Sequence, residues 1–340
     1  MYNIILMKVS ILIVTFNSES VITECLDSLI RIDYGDFEIL IYDNASLDNT
    51  CRIIERYKDK VRLIKGGFNR GFGYALNRLA ENANGEIIAS LNPDTVVDRY
   101  WIKNAIGHFS RSDVGMVSSR ILFKDNPDII DSTGHLIYPD GLNRGRGHQK
   151  NLTEEFLKVD EVAFPSGSAG FYRRDIYIEL GGIDESLFLF GDDTDIGIKF
   201  QLAGYKCIYE PASVVFHHYS HSVGRYSDIK AYFVERNRIQ ILLKYFPLRF
   251  IAKSLFYTSS RIVMHNLSAI SGRGSTARYI QEGSIIKLYK LMLMAYIDTI
   301  LDLPDIIRKR RKLLSRLDLE KIVPLLKRHT ISASELTLTD

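Results

Sequence analysis

The segment VSILIVT, residues 9–15, carries no charge and is mostly β-branched. A strand apolar on both faces has to be covered on both faces, as strands of parallel sheets are. The pattern that follows agrees. Residues 18–30 have helical spacing, with Ile22, Leu26 and Leu29 on one face, and 37–42 (FEILIY) reads as a second strand broken by Asp43-Asn44. Residues 48–57 read as helix, 61–64 as strand, 74–81 as helix and 86–91 (EIIASL) as a fourth strand. Strands alternating with helices predict βαβ units and a mostly parallel sheet flanked by helices.

In such sheets ligands sit at the carboxyl ends of the strands. Three polar clusters fall there: Thr15-Phe16-Asn17, Asp43-Asn44, and Asn92-Pro93-Asp94-Thr95. The coincidence weighs more than any one cluster. From about Gly115 the pattern loosens, and 131–147, rich in Gly, Asn and Arg, reads as an irregular loop. Residues 167–182 read as a buried segment entering a helix, 188–202 as a carboxylate cluster followed by a helix, and 207–217 as a strand. After about Tyr232 long helical patterns mix basic and large apolar residues. The division expected is a catalytic domain over 1–247 and a helical region over 248–340 that associates with membrane or with a second subunit.

The 340 residues suffice for one large α/β domain plus an accessory region. A net charge of +3 does not point to nucleic acid. Three distant cysteines, Cys25, Cys51 and Cys207, form neither a disulfide framework nor a metal motif and read as small buried thiols in a reducing compartment. The start, MYNIILMKVSILIVTFN, lacks the basic opening and cleavage site of a signal peptide, and Met7 is an alternative start. No run reaches the roughly 18–20 apolar residues of a membrane span.

Four constellations carry chemistry. Asp94 offers an oxygen at a strand end, suited to a divalent ion that neutralises a diphosphate. Asn92 is uncharged and fits an orienting role, while a plain Asn-Pro-Asp turn is the competing account. Asp192, Asp193 and Asp195 lie within four residues and repel one another. A metal, a shared proton or helix N-cap placement would offset that cost, and one of them could serve as a general base. His217-His218-Tyr219-Ser220-His221 could complete a metal site; the His217/His221 spacing also suggests a zinc pair, rejected because strand residues precede it and no Glu follows His217. Asn69-Arg70-Gly71-Phe72-Gly73 lets backbone and a guanidinium approach a phosphate. It is not a dinucleotide fingerprint, because Leu76 stands where the third glycine would, and no P-loop occurs.

In order, VSILIVTFNS, YDNASLDNT, NRGFGYALNRLA, GEIIASLNPDT, GSAGFYRRDIYIELGGIDESLFLFGDDTDIGIKFQLAGYK and ASVVFHHYSHSVGR resemble family 2 glycosyltransferases over about residues 8–247. The branch most similar is the rhamnosyltransferase-like one of bacteria and archaea. The resemblance implies a GT-A fold, an inverting mechanism and Mg²⁺ or Mn²⁺. It implies nucleobase or ribose contacts for Thr15, Phe16 and Asn44, and a DxD-like segment at Asn92 and Asp94 with Asp94 at the metal. It implies a base at Asp193, with Asp192 where Glu is usual, and a late metal or phosphate ligand at His217 or His218. Asn17, Asp43, Asn69, Arg70, Gly71 and Asn77 complete the expected donor-binding set. Asn44 and Asn92 depart from the usual Asp.

The activity expected is transfer of a sugar, rhamnose being the first choice, from a dTDP- or UDP-sugar to a hydroxyl of a polysaccharide or lipid-linked glycan at the cytoplasmic face of the membrane. The region after Tyr232 is expected to dock there, with Ile239, Leu242, Leu243 and Phe246 toward the lipid and Arg238, Lys244, Arg249 and the basic run 308–316 at headgroups; helices packed on the catalytic domain or on a second subunit are the competing account. The rival activities are a nucleotidyltransferase, disfavoured because VTFNSESV lacks a Gly-rich basic loop, and a silent membrane-surface binding protein, disfavoured by Asp94 and Asp193.

Overall fold

A computed structural model describes residues 7–218, 227–272, 274–282 and 284–338. His221 of the expected zinc pair lies outside them. The chain divides into two compact units: Met1–His135 with Gly145–Phe200 and Gly204–Ser222, and Leu136–Arg144 with Gln201–Ala203 and Val223–Asp340.

The first unit is built on one sheet. Its parallel half contains β1 (Val9–Thr15), β2 (Phe37–Asp43), β3 (Val61–Lys65) and β4 (Ile87–Leu91), in the order β4-β1-β2-β3. Every residue of β1 is buried, as its composition requires. The helices α1 (Ile22–Ile30), α2 (Thr50–Ile54) and α3 (Phe72–Asn82) connect these strands, and Ile22, Cys25, Leu26 and Leu29 of α1 enter the same core cluster as β1.

Beyond β4 the sheet becomes mixed. A short β5 (Thr95–Val97) and α4 (Trp101–Ile106) lead to β6 (Val114–Phe123) and β7 (Asn126–Ser132). A short pair, β8 (His135–Ile137) and β9 (Asn143–Gly145), precedes β10 (Asp160–Val162) and β11 (Ala169–Arg173); α5 (Arg174–Glu179), α6 (Asp192–Ala203) and β12 (Lys206–His217) follow. The antiparallel β11 joins β4 to β6, and β12 runs parallel to β6. This corrects the sequence reading at Gly115: residues 114–123 are a ten-residue strand. Its interior serines disguise it. Ser119 Oγ accepts a 2.9 Å bond from the indole Nε1 of fully buried Trp101, so a polar strand residue is satisfied inside the core.

The second unit is helical: α7 (Asp228–Tyr245), α8 (Leu248–Ser271), α9 (Ser275–Glu282), α10 (Ile285–Leu301), α11 (Leu303–Leu314), α12 (Ile322–Arg328) and α13 (Ala333–Leu338). Pro247 separates α7 from α8, because proline has no N–H for a continuing helix. Its interior holds a salt network. Glu235 receives Arg238 at 2.6 Å and Arg261 at 2.9 Å, and Arg261 Nε reaches Asp140 at 2.8 Å, all four residues being buried. Burial alone would raise the Glu235 carboxyl, but the two guanidiniums pull it down to about 2. Glu235→Gln would leave two buried cations facing a neutral amide. It is expected to cost about 3–5 kcal/mol in a urea melt, while Glu55→Gln, which breaks an exposed pair with Lys65, leaves the midpoint in place.

This interior also corrects part of the docking expectation. Ile239, Leu242 and Phe246 are buried, and so are Arg238 and Lys244, so none of these five can meet a lipid. Helical spacing identified a stripe, but not which side of α7 it faced. Among the described residues no helix is long and apolar enough to cross a membrane.

Candidate active site

The carboxyl ends of β1 and β2 are stitched together by their polar residues. Thr15 Oγ1 donates to Asp43 Oδ1 at 2.9 Å, and Asp43 Oδ2 accepts the Ser46 amide at 2.9 Å. Asn17, at φ 49°, accepts the Leu47 amide at 2.8 Å. Asn44 is buried; its amide nitrogen donates to Gly71 O at 3.2 Å, and its oxygen accepts the Arg70 amide at 3.3 Å. The NRG loop is thus tied to β2, with Asn69 Oδ1 turning it through the Gly71 amide at 2.9 Å. Phe16 is left exposed, and the Arg70 guanidinium lies 3.8 Å over the Tyr74 ring. Asn77 spends its side chain on structure: it bonds the backbone of Ile183 in both directions and accepts from Tyr177 Oη at 2.8 Å.

Gly71 is required twice over. Its φ is +87°, and a Cβ there would stand 2.3 Å from Phe188 O. That carbonyl accepts the Phe72 amide at 2.9 Å, so the NRG loop also grips the aromatic run before the carboxylates. Within that run Phe188 and Phe190 hold φ of 63° and 66°, costly for bulky residues, and Gly191 follows at 78°. Phe188 and Phe190 bear this strain just ahead of α6, whereas Gly191 adopts its φ freely.

The three carboxylates at that helix start separate into different environments. Asp195 is fully buried and structural: it pairs with Lys199 at 2.8 Å and accepts the Asp184 amide at 3.0 Å. Asp192 is buried with Oδ1 lacking a hydrogen-bond partner. Burial, and then the Asp193 charge, push its carboxyl up to about 7. Asp193 keeps some solvent access; its Oδ1 accepts the Thr194 amide at 2.8 Å and its Oδ2 faces His135 Nε2 at 3.2 Å. His135 stacks on Phe164 with ring centroids 5.2 Å apart. Burial drives the imidazole pKa below its usual value, against the pull of Asp193, which favours the neutral ring. Sequence reading missed His135, because it falls in 131–147, the stretch set aside as irregular. A histidine beside glycines in a loop gives no periodic signal.

The DxD-like segment lies across a neighbouring turn. Asn92 bonds Ser168 through both backbone and side chain, at 3.0 and 3.2 Å. Next to Ser168, Gly167 is the residue whose added Cβ would be 3.8 Å from Asp193 Cβ. One turn therefore bonds Asn92 and lies beside the base candidate. Asp94 is buried, with Oδ1 lacking a hydrogen-bond partner and His217 Nε2 at 3.2 Å. His217 Nδ1 meets buried Asp131 at 2.7 Å, and His148 stands 3.2 Å from Asp131. Burial would lower the His217 pKa, but the two carboxylates, Asp131 first, raise it to about 10. His218 instead bonds Glu24 at 2.9 Å. Asp131 and His148 are a second pair that sequence reading missed.

Asp94 and His217 fit a divalent ion. Asp94 Oδ1, ion-paired with His217 Nε2 but without a formed hydrogen bond, is the oxygen a cation would take up, and Mg²⁺ or Mn²⁺ needs few protein ligands when diphosphate oxygens and water supply the rest. Accordingly, among the described residues no group of three His, Cys, Asp or Glu side chains is disposed to hold a metal alone. Binding would require the neutral His217 ring, so metal would displace a proton.

A mostly parallel α/β sheet with polar residues at its carboxyl edge is a nucleotide-binding type of architecture. The chain matches the model of glycosyl transferase family 2 over residues 10–181 and belongs to that family. It is 28% identical over 238 residues to the N-acetylglucosaminyl-diphospho-decaprenol L-rhamnosyltransferase of Mycobacterium tuberculosis, covering 62% of this chain and 76% of that protein. It is also 28% identical over 231 residues to the O-antigen biosynthesis protein RfbC of Myxococcus xanthus, covering 63% of this chain. The chain spans a quarter or less of the length of RfbC and of one further relative. Among solved structures, the mannosyltransferase PcManGT of Pyrobaculum calidifontis, in complex with GDP-Man and Mn²⁺, superimposes with a TM-score of 0.55 at 18% identity, over 87% of this chain and 86% of that one. The fold is GT-A.

Proposed function

We propose that this protein is an inverting, metal-assisted glycosyltransferase that moves a sugar from a nucleoside diphosphate to a hydroxyl of a polysaccharide or lipid-linked glycan. The observation that carries the reading is the Gly167-Ser168 turn, which bonds Asn92 and lies beside Asp193. A base for the acceptor and a site for the leaving diphosphate belong side by side in such a transfer.

Thr15, Phe16, Asn17, Asp43 and Asn44 are assigned to the nucleoside, and Asn69, Arg70 and Gly71 to the phosphates. Asn77 acts from behind, by fixing the Ile183 turn. Asp94 and His217 would hold Mg²⁺ or Mn²⁺, which when bound would neutralise charge on the leaving diphosphate. Asp193 accepts the proton of the acceptor hydroxyl as its oxygen bonds to the anomeric carbon. The bond from that carbon to the diphosphate breaks, and its electron pair leaves with the diphosphate. Asp192, its carboxyl raised to about 7, is partly protonated at neutrality, which lessens the charge beside the base.

The sugar assigned is rhamnose from a dTDP- or UDP-linked donor, supported by the mycobacterial relative whose name gives that transfer. A cytoplasmic location suits a sugar nucleotide and the unpaired thiols. The deciding experiment is a donor panel read by thermal shift with and without Mn²⁺, since only a bound ligand stabilises by mass action. Stabilisation by a dTDP- or UDP-sugar that needs Mn²⁺ is the expected result, and no shift with any sugar nucleotide would refute the assignment.

His135, its Nε2 3.2 Å from Asp193 Oδ2 but outside hydrogen-bond geometry, is assigned to position the base by donating to that oxygen as the acceptor binds. His135→Phe keeps the stack on Phe164 but cannot donate. It is expected to lower kcat roughly tenfold with donor KM unchanged, and His135→Gln should recover part of the loss. Unchanged kcat in the Phe variant would dismiss the role.

A further inference from the structure

We propose that the second unit carries a docking surface for an anionic lipid bilayer, formed by α8 and α10 and extended by α11. This surface differs from the one expected from sequence, and it rests on that unit alone, independent of the glycosyltransferase reading.

Along α10, Ile286, Tyr289, Leu293, Ile297 and Ile300 are exposed, with Ile286 at 77%, Leu293 at 60% and Ile300 at 67%. Their spacing of three or four residues puts them on one side of the helix, and the stripe is about 21 Å long. A helix that had found its final partner inside the chain would bury such a stripe. It does bury Ala295 and Thr299, on the opposite side.

A second stripe runs on α8. Leu255, Phe256, Val263, Leu267 and Ile270 are exposed, with Phe256 at 74% and Ile270 at 84%. The two helices are linked where Tyr289 Oη on α10 donates to Asn266 Oδ1 on α8 at 2.6 Å. Apolar side chains left exposed in rows on neighbouring helices mark an interaction surface.

Charge decides the occupant. The α8 sequence contains no Asp or Glu, and in α10 the only one is Asp298, engaged by Tyr232. Exposed Lys253 and Lys290 lie on these helices, and exposed Arg311 and Lys312 follow on α11. A second copy packed by a two-fold axis would set these cations against themselves. A bilayer with anionic headgroups takes both halves of the pattern, apolar side chains into the interface and cations to the phosphates.

The test is co-sedimentation of the full chain with phosphatidylcholine vesicles and with vesicles containing one third phosphatidylglycerol, at low and high salt. Binding to the anionic vesicles, weakened by salt, is expected. Leu293→Glu with Ile297→Glu should weaken it roughly tenfold or more, and Lys253→Gln with Lys290→Gln should remove much of the salt dependence. These residues are exposed, so thermal melts and turnover on a soluble acceptor should match the parent and separate lost docking from lost fold. Negligible pelleting of the parent on both vesicle types would overturn the proposal. So would unchanged binding by the glutamate variant. A parent dimer that the glutamate variant splits, without vesicle binding, would overturn it in favour of a second copy.

Discussion

Asp193→Asn is expected to reduce turnover by about 10²-fold or more while leaving nucleotide binding nearly intact. The substitution keeps shape and still accepts the Thr194 amide, but the amide cannot take the acceptor's proton. A hundredfold loss corresponds to about 2.7 kcal/mol of barrier. The paired control is Asp192→Asn, expected to remain active. It should instead change stability against pH. The folded-state pKa of Asp192 is raised, so its contribution is present below pH 3.8 and lost as pH rises through about 7. Without that carboxyl, the decline between those values should shrink in urea melts. A dead Asp192→Asn beside an active Asp193→Asn would move the base by one residue.

Asp94→Ala is expected to abolish Mn²⁺-dependent binding of the nucleoside diphosphate, measured by calorimetry with and without the ion. The parent should lose its activity in excess chelator and regain it on adding Mn²⁺ or Mg²⁺. Asp94 offers a buried oxygen with no hydrogen-bond partner, and deleting it leaves only His217. His217→Ala should show a smaller loss in the same titration. Full activity of the parent in excess chelator would end the metal assignment, leaving Arg70 and neighbouring amides to stabilise the leaving group.

Much of the first unit was legible because its signals are local. The seven buried residues of β1 demanded a covered strand, and the alternation through β4 followed the periods of strand and helix. Motif order gave the family, and the polar residues ending β1, β2 and β4 gave the site's edge. The strand at 114–123 was not legible, because buried Ser119 is satisfied by a tertiary hydrogen bond from Trp101 that sequence does not display.

Tertiary structure alone decided what each polar residue does. Asp192, Asp193 and Asp195 are alike in sequence; burial, a neighbouring lysine and a facing histidine gave one a raised pKa, one a structural pairing and one enough exposure to serve as a base. His135, Asp131 and His148 entered the site from a stretch without periodicity, carried there by pairings between residues distant in the chain. In the helical unit the spacing of apolar residues identified helices but not their solvent side. Ile239 and Leu242 turned inward while Leu293 and Ile297 stayed outside. Helical period is a property of neighbours along the chain, whereas burial depends on which surfaces the folded chain brings together, and only the assembled core contains that information.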